Sequence, residues 1–346
     1  MNKNSKSCAG RLLWIAVLAL AVSAVGFAQS AKISGAGSSW VYPLVAKWSA
    51  AYQKLNGTEI NYASIGSGGG IAQIKAGTVA FGASDMPLTP EALQQAGLIQ
   101  FPTAVAGADL VYNIPGIGPG KLILSGQLVA DIYLAKVKKW NDPEIAKLNS
   151  GLKLPDMDIT VVHRSDGSGT TFTFTDYLCK VSPEWKQKVG SNTSVAWPTG
   201  VGGKGNEGVA SYVLRIKGSI GYVEYAYIME NHMSYARMIN SDGKVVSPTL
   251  QGFQDASAHV DWSKAQDFYV ILTDKSGPDT WPISGCTWQI LRKNAPKETN
   301  IEVMKFFDWG FEHGQGMAKS ISYGPLPPTT VEAIKSYWKN ELGYGV

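Results

Sequence analysis

The chain has 346 residues and a formal net charge of +4, with 31 Lys and Arg against 27 Asp and Glu. A balance this even lacks the basic surface expected of a nucleic-acid-binding protein, so nucleic acid is a poor candidate partner. The length is sufficient for two packed domains. The histidines have no metal-ligand spacing, and the sequence predicts neither a metal site nor a cofactor; they are His163, His232, His259 and His313.

Residues 1–28 are predicted to be a secretory signal peptide, so the mature chain is expected to be exported. The segment begins with three basic residues, Lys3, Lys6 and Arg11. An apolar run at 12–25 and small residues up to Ala28 follow, with Ser30 as the alternative cleavage position. The run is too short for a good membrane span, and Cys8 precedes it, whereas a lipid-modified cysteine would follow it. Removal of 28 residues, three of them basic, leaves 318 residues with 28 basic and 27 acidic side chains.

The rest of the chain alternates apolar strand-like runs with helical stretches, which predicts an α/β protein. Strands are expected at residues 32–34, 60–65, 110–114, 159–162, 219–223 and 287–291. Three helices should begin where a polar cap precedes a proline, at Thr89, Asp142 and Ser182. Gly97 is expected to end the first of these helices in the left-handed conformation.

A glycine-rich turn, Gly35-Ala-Gly-Ser-Ser-Trp40, follows the first predicted strand. It precedes a helix with Pro43 in its first turn. Ser38 or Ser39 is expected to cap that helix, and either can turn its hydroxyl and backbone N–H toward an anion.

A second glycine-rich turn, Gly66-Ser-Gly-Gly-Gly70, opens a helix over 71–75. Glycine allows the backbone to approach a ligand closely, and Ser67 adds a hydroxyl there. The string does not meet the G-x-G-x-x-G spacing, which argues against dinucleotide binding.

The most specific string is Arg164-Ser-Asp-Gly-Ser-Gly-Thr170, which combines a cation with hydroxyl groups before a helix predicted over 171–178. Asp166 is placed to hold the Arg164 guanidinium in one orientation. The backbone N–H groups at the start of that helix point at whatever lies before them, which favours a small tetrahedral oxyanion. The helix mouth is formed by Ser168, Gly169 and Thr170.

Phe81-Gly-Ala-Ser-Asp85 adds a carboxylate, which should repel an anion. Asp85 could instead be an ordinary turn-forming residue. Within an anion site, however, a carboxylate is compatible only with a ligand that still carries a proton to donate. Phosphate carries one near neutral pH and sulfate does not, so Asp85 favours phosphate.

Other functions remain open at this point. A receptor for sulfate or molybdate should avoid an acceptor such as Asp85. A serine hydrolase or phosphatase would use Ser67 or Ser168, but neither has a histidine in a recognisable motif with it. Gly200-Val-Gly-Gly-Lys-Gly-Asn206 lacks the final Ser or Thr of a nucleotide-binding P-loop. A structural or adhesive role is not required by any feature of the sequence.

Two segments rich in glycine and proline, at 113–120 and 278–282, are expected to be crossings between domains. Lobe I would then comprise 31–112 plus 283–346, and lobe II 113–282. Two crossings form a hinge, and the cleft between the lobes is where a ligand would be held.

Two cysteines, Cys179 and Cys286, lie beyond the predicted leader. A disulfide between them is possible in an oxidising compartment. Two separate thiols, each behaving as a small apolar side chain, are the favoured alternative.

Taken together, these strings resemble the periplasmic phosphate-binding proteins of the phosphate-specific ABC importer. The resemblance extends in order over the whole mature chain. Further strings that carry it are Lys139-Trp-Asn-Asp-Pro-Glu-Ile145, Val201-Gly-Gly-Lys-Gly-Asn206, Gly218-Ser-Ile-Gly-Tyr-Val-Glu-Tyr225 and Lys305-Phe-Phe-Asp-Trp309.

The resemblance implies a type II periplasmic-binding-protein fold, in which two lobes, each a mixed sheet flanked by helices, close over one inorganic phosphate. It also implies a periplasmic monomer that is not an enzyme, and that docks on the permease subunits of an ABC importer and acts with its ATPase only indirectly. Asp166 would orient Arg164. The implied phosphate contacts are Ser38, Ser39, Trp40 through its backbone, Ser67, Asp85, Arg164, Ser168, Gly169 and Thr170. Positions 39 and 40 are more often Thr-Phe in the family, and Gly68 replaces a common serine, which removes one optional hydroxyl.

Overall fold

The computed structural model describes residues 32–258 and 260–346, so the predicted signal peptide lies outside the described residues. No helix within these ranges is long and apolar enough to cross a membrane. The strands are β1 Lys32–Gly37, β2 Glu59–Ser64, β3 Phe81–Ser84, β4 Leu98–Tyr112, β5 Ile123–Ser125, β6 Thr160–Arg164, β7 Val201–Gly203, β8 Ser219–Glu224, β9 Ser234–Tyr235, β10 Arg237–Ile239, β11 Val245–Val246 and β12 Ser284–Arg292.

The α-helices fill most of the chain between these strands, as the predicted α/β alternation requires. They are α1 Tyr42–Asn56, α2 Ser67–Ala76, α3 Pro90–Ala96, α4 Gly126–Tyr133, α5 Pro143–Leu148, α6 Gly169–Val181, α7 Pro183–Lys188, α8 Gly205–Arg215, α9 Tyr225–Asn231, α10 Leu250–Ala258, α11 Lys297–His313, α12 Gln315–Ser320 and α13 Pro328–Leu342.

The helix boundaries follow the predicted capping chemistry. The side chains of Thr89, Asp142 and Ser182 each accept a backbone N–H from the first turn of the helix that follows. Gly97 ends α3 with a φ of 63° in the left-handed region, where glycine has no steric penalty. Local side-chain hydrogen bonds therefore determine these boundaries.

The capping prediction for α1 is wrong. The helix begins at Tyr42 with Val41 as its N-cap, and no side chain caps it. The hydroxyl of Ser38 is used elsewhere, since it accepts the N–H of Trp40 and donates to a carboxylate described below. Pro43 does lie in the first turn, as predicted.

The main sheet is mixed, with the strand order β2-β1-β3-β12-β4-β8-β6-β7 and with β9 also paired to β4. The long strand β4 changes partner along its length. It pairs with β12 from Leu98 to Gly107 and with β8 from Ala108 to Tyr112. We call β2, β1, β3, β12 and the earlier part of β4 the first half-sheet, and the later part of β4 with β8, β6 and β7 the second half-sheet.

The chain returns to the first half-sheet next to the point where it left. The N–H of Ala108 donates to the carbonyl of Ile283 at 2.8 Å, immediately before β12. The predicted lobe boundaries at 112/113 and 282/283 stay a prediction. A separate three-stranded sheet has the order β11-β10-β5, and its strands come from the same part of the chain as those of the second half-sheet.

The parallel strands bring the glycine-rich turns to one edge. β1 pairs in parallel with both β2 and β3, so their carboxyl ends lie side by side. Ligand sites in open α/β sheets form at this end of the strands. The turns after these strands carry Ser38, Ser67 and Asp85.

Candidate functional site

The start of α6 packs directly against the turns of the first half-sheet. The N–H of Gly169 donates to Ser67 Oγ at 3.0 Å. A Cβ at position 169 would lie 2.6 Å from both the Cβ and Oδ2 of Asp85, so this close approach requires glycine. Gly169, at the start of α6, therefore contacts the carboxylate of Asp85, which follows strand β3 of the first half-sheet.

Asp85 is the centre of the site and is only 2% exposed. Ser38 Oγ lies 2.6 Å from its Oδ1 and 2.7 Å from its Oδ2. Thr287, from β12, donates its hydroxyl to Oδ1 at 2.6 Å. The carboxylate is thus an acceptor surrounded by hydroxyl donors.

Ser67 is held so that it can act only as a donor to a further partner. Its Oγ accepts the backbone N–H groups of Asp85 at 3.2 Å and Gly169 at 3.0 Å. A hydroxyl oxygen accepts two hydrogen bonds and donates one. Its contact with Asp85 Oδ2 is 3.4 Å, longer than an ordinary O–H···O bond, so this hydrogen is available to a ligand oxygen.

Arg164 supplies the positive charge, and its side chain is 1% exposed. Asp166 holds it in a bidentate pair, with Nε to Oδ1 at 2.8 Å and Nη2 to Oδ2 at 2.6 Å. Burial would raise the pKa of Asp166, but the bonds and charge of Arg164, with the N–H of Gly205, outweigh it and lower the pKa. Nη1 of Arg164 points instead at Thr170 Oγ1, at 3.3 Å.

The structure brings the predicted site residues into one buried cluster. Ser168 caps α6 by accepting the N–H of Thr171 at 3.0 Å, and it is fully buried. The N–H of Trp40 donates to Ser38 Oγ rather than pointing freely forward. Ser39 Oγ meets Asn206 of α8 at 3.0 Å. Whether these residues contact a ligand as predicted stays a prediction.

Two residues of the cluster were missed by sequence reasoning. Thr287 lies 202 positions from Asp85 in the chain, and only the fold of β12 brings them together. Asn206 ends the glycine-rich string at 200–206, which lacks the final Ser or Thr of a P-loop. Its position just after Gly205, at the start of a helix, was the available signal.

Within residues 32–258 and 260–346, the two candidate nucleophiles, Ser67 and Ser168, have no histidine beside them. His163 stacks on Trp197 with ring centroids 4.7 Å apart, and its Nδ1 lies 3.0 Å from the carbonyl of Arg164. Burial lowers the pKa of His163. Among the described residues, neither Ser67 nor Ser168 has a histidine as hydrogen-bond partner.

The cysteines and the possible metal-binding side chains complete the description of these ranges. Cys179 and Cys286 are free thiols, the first half-buried and the second buried in β12. Residues 32–258 and 260–346 contain no group of three His, Cys, Asp or Glu side chains that could hold a metal ion.

A cleft of about 860 Å³ opens beside the buried cluster. Tyr62 and Tyr227 line it, and their hydroxyls donate to the carbonyls of Ser38 at 2.8 Å and Ser39 at 2.7 Å. The cleft therefore borders the site through the backbone of its first turn.

Burial of the Asp85 carboxyl makes the stability of the folded protein depend on pH. It is the largest influence on this carboxyl and raises its pKa from 3.8 to about 6, although the hydroxyls of Ser38 and Thr287 oppose it. Between these values the folded protein keeps a proton that the unfolded chain has lost. The free energy of unfolding of the ligand-free protein should therefore fall by about 3 kcal/mol as the pH rises through this window.

Urea unfolding at pH 4 and pH 8 measures this effect when wild type is compared with Asp85→Asn. The variant lacks the titrating group, so its stability should depend less on pH. Equal changes in wild type and variant would show that Asp85 titrates normally.

Comparisons with known proteins show the family to which the chain belongs. A family model described as a PBP superfamily domain matches residues 23–312. The phosphate-binding protein PstS of Xylella fastidiosa is 54% identical over 315 residues, covering 91% of this chain and 86% of the relative.

Two solved structures share the fold. PfluDING, a high-affinity periplasmic phosphate-binding protein bound with phosphate, aligns with a TM-score of 0.71 at 19% identity, over 88% of this chain and 93% of its own. An ABC-type phosphate transport receptor from Vibrio cholerae aligns with a TM-score of 0.56 at 17% identity, over 85% of this chain and 100% of its own. The predicted two-lobed α/β fold is confirmed. The chain therefore belongs to the PBP superfamily and, within it, to the family of phosphate-binding proteins named PstS.

Proposed function

We propose that this protein captures inorganic phosphate in the buried cluster between the half-sheets and delivers it to an ABC importer. The observation that carries the proposal is the environment of Asp85. This buried acceptor stands among hydroxyl and N–H donors and within reach of the positive charge of Arg164. A tetrahedral anion with several acceptor oxygens and one O–H group complements that arrangement.

The donors supply most of the affinity. Hydrogen bonds to a charged ligand contribute about 1.5–3 kcal/mol each, so a few fixed donors bind tightly with a single arginine. Candidate donors are the hydroxyls of Ser39, Ser67, Ser168 and Thr170 and the guanidinium of Arg164. The Ser38 hydroxyl and the N–H groups of Trp40 and Gly169 already donate to Asp85, Ser38 and Ser67, and would exchange these partners for the ligand.

Asp85 supplies the discrimination between phosphate and sulfate. A phosphate O–H can donate to the carboxylate, whereas a sulfate oxygen would face it as a second unpaired acceptor. Burying two such groups together should weaken sulfate binding by about a thousandfold or more.

Calorimetry on protein stripped of phosphate tests the proposal directly. At pH 8 we expect tight phosphate binding that survives a thousandfold excess of sulfate, on the order of the discrimination estimated above. Comparable affinities for the two anions, or tighter binding of molybdate, would favour a different oxyanion receptor. The eleven tryptophans provide an intrinsic fluorescence signal for the same titration.

We further propose that the protein binds phosphate without chemical conversion and acts as a periplasmic monomer. Neither Ser67 nor Ser168 has a histidine as hydrogen-bond partner among the described residues. The permease would meet the two lobes, with boundaries at 112/113 and 282/283. Turnover of a chromogenic phosphate ester that is lost in Ser168→Ala would instead indicate an enzyme.

A further inference from the structure

Asn206 lies between the two half-sheets and is fully buried. It is the second residue of α8, and it reaches Ser39, in the turn after β1, as well as Thr170, in the first turn of α6. A single side chain thus contacts one hydroxyl that follows a strand of the first half-sheet and another at the start of α6.

The orientation of the Asn206 amide is fixed by the backbone. The N–H of Glu224 donates to Asn206 Oδ1 at 3.0 Å. A backbone N–H can only donate, so the carbonyl oxygen of the amide must face it. The NH₂ group must then face the two hydroxyls.

Both lone pairs of Ser39 Oγ are consequently occupied. Asn206 donates to this oxygen twice, from its backbone N at 3.1 Å and from Nδ2 at 3.0 Å. A hydroxyl with two bonds accepted has only its hydrogen left. Ser39 can therefore offer a ligand a donor and not an acceptor.

Thr170 Oγ1 is held in the same sense but less tightly than Ser39. It accepts two longer hydrogen bonds, from Arg164 Nη1 at 3.3 Å and from Asn206 Nδ2 at 3.4 Å. Its remaining hydrogen must also point away from these two donors. Asn206 is the partner that Ser39 and Thr170 have in common.

We propose that Asn206 is a positioning and specificity-determining residue, which fixes the hydroxyls of Ser39 and Thr170 as donors toward an acceptor-rich oxyanion. The inference rests on the proposed function, because it assigns a role within the phosphate site. With both hydroxyls committed as donors, the Asp85 carboxylate is left as the strongest acceptor for a ligand proton, and the ligand form with a single proton is preferred.

The test compares phosphate binding by wild type, Asn206→Asp and Asn206→Ala at pH 8 and pH 5. The introduced carboxylate accepts the hydrogens of Ser39 and Thr170 and repels the anion, so Asn206→Asp should bind about 100-fold more weakly at pH 8. Alanine frees the hydroxyls to rotate, and the loss should be about 10-fold.

The pH dependence separates the donor assignment from a merely structural role. At pH 5 the ligand carries a second proton, which freed hydroxyls in Asn206→Ala can accept. In Asn206→Asp the buried carboxyl regains its own proton. The ratio of wild-type to variant affinity should therefore shrink several-fold from pH 8 to pH 5 in both variants. Titration of Asp85 cancels in the ratio for Asn206→Ala, which adds no charge to the cluster.

Asn300→Asp is the matched control. Asn300 is also fully buried, and its amide donates to the carbonyl of Arg292 at 2.9 Å and to Tyr344 Oη at 3.1 Å, at the far end of β12. This control should lower the melting temperature without changing phosphate affinity.

Three results would overturn the inference while leaving phosphate binding by wild type intact. The first is a variant that binds phosphate as tightly as wild type. The second is a larger loss of phosphate affinity at pH 8 in Asn206→Ala than in the isosteric Asn206→Asp. The third is a loss of affinity that is the same at pH 8 and pH 5. If Asn206→Asp does not fold, the pH ratio of Asn206→Ala decides alone. Failure of wild type itself to bind phosphate would instead refute the proposed function.

Discussion

Asp85→Asn is expected to reduce the preference for phosphate over sulfate by at least about 100-fold at pH 8. At this pH the wild-type carboxyl, with its pKa raised to about 6, is ionised and can only accept. An amide can instead donate to a sulfate oxygen, which removes the repulsion between two buried acceptors. Calorimetric titration of wild type and variant with each anion measures the change in the ratio.

Asp109→Asn is a matched control for the loss of a buried acid. Asp109 lies in β4, is fully buried, and neither of its carboxyl oxygens has a hydrogen-bond partner among the described residues. It is not part of the cluster around Asp85, so its replacement should leave the anion ratio unchanged. An unaltered ratio in Asp85→Asn would remove the basis for phosphate selectivity.

The parts of the site that the sequence could predict are those with local signals. Arg164 and Asp166 are two positions apart, and their bidentate pair is a short-range contact. Ser168 precedes a helical run and caps it, as its residue type favours. A glycine-rich turn after a strand predicted Ser67, and a carboxylate compatible with a protonated anion predicted Asp85; the parallel pairing of β1 with β2 and β3 brings the two to one edge.

The parts that the sequence could not predict depend on contacts between distant segments. Thr287 looks like any strand threonine until β12 pairs with β3 and brings it to Asp85. The role of Asn206 requires knowing that Glu224 faces one side of its amide. The capping expectation for Ser38 was wrong for a related reason, since bonding to Asp85 across 47 positions outweighs a local helix cap.

Arg164→Ala is expected to weaken phosphate binding by about 1,000-fold and to destabilise the ligand-free protein. Removing one partner of a buried ion pair costs about 3–5 kcal/mol, because the other charge is left uncompensated. Here that charge is Asp166, and together with Asp85 it would place two carboxylates around the incoming anion. Arg164→Lys should recover only part of the loss, since an ammonium cannot reproduce the bidentate fork.

Arg292→Ala controls for the loss of a large, half-buried arginine side chain at the end of β12. It should affect folding stability but not anion affinity, when both are measured by calorimetry and urea unfolding.

Before the ligand arrives, the carboxylates of Asp85 and Asp166 outnumber the guanidinium of Arg164 when Asp85 is ionised. The net charge of these three groups therefore does not attract an anion, and the directed hydrogen-bond donors of the site must account for binding. If Arg164→Ala retained wild-type affinity at low salt, the guanidinium would lie outside the site, and the backbone N–H groups and hydroxyls alone would account for capture.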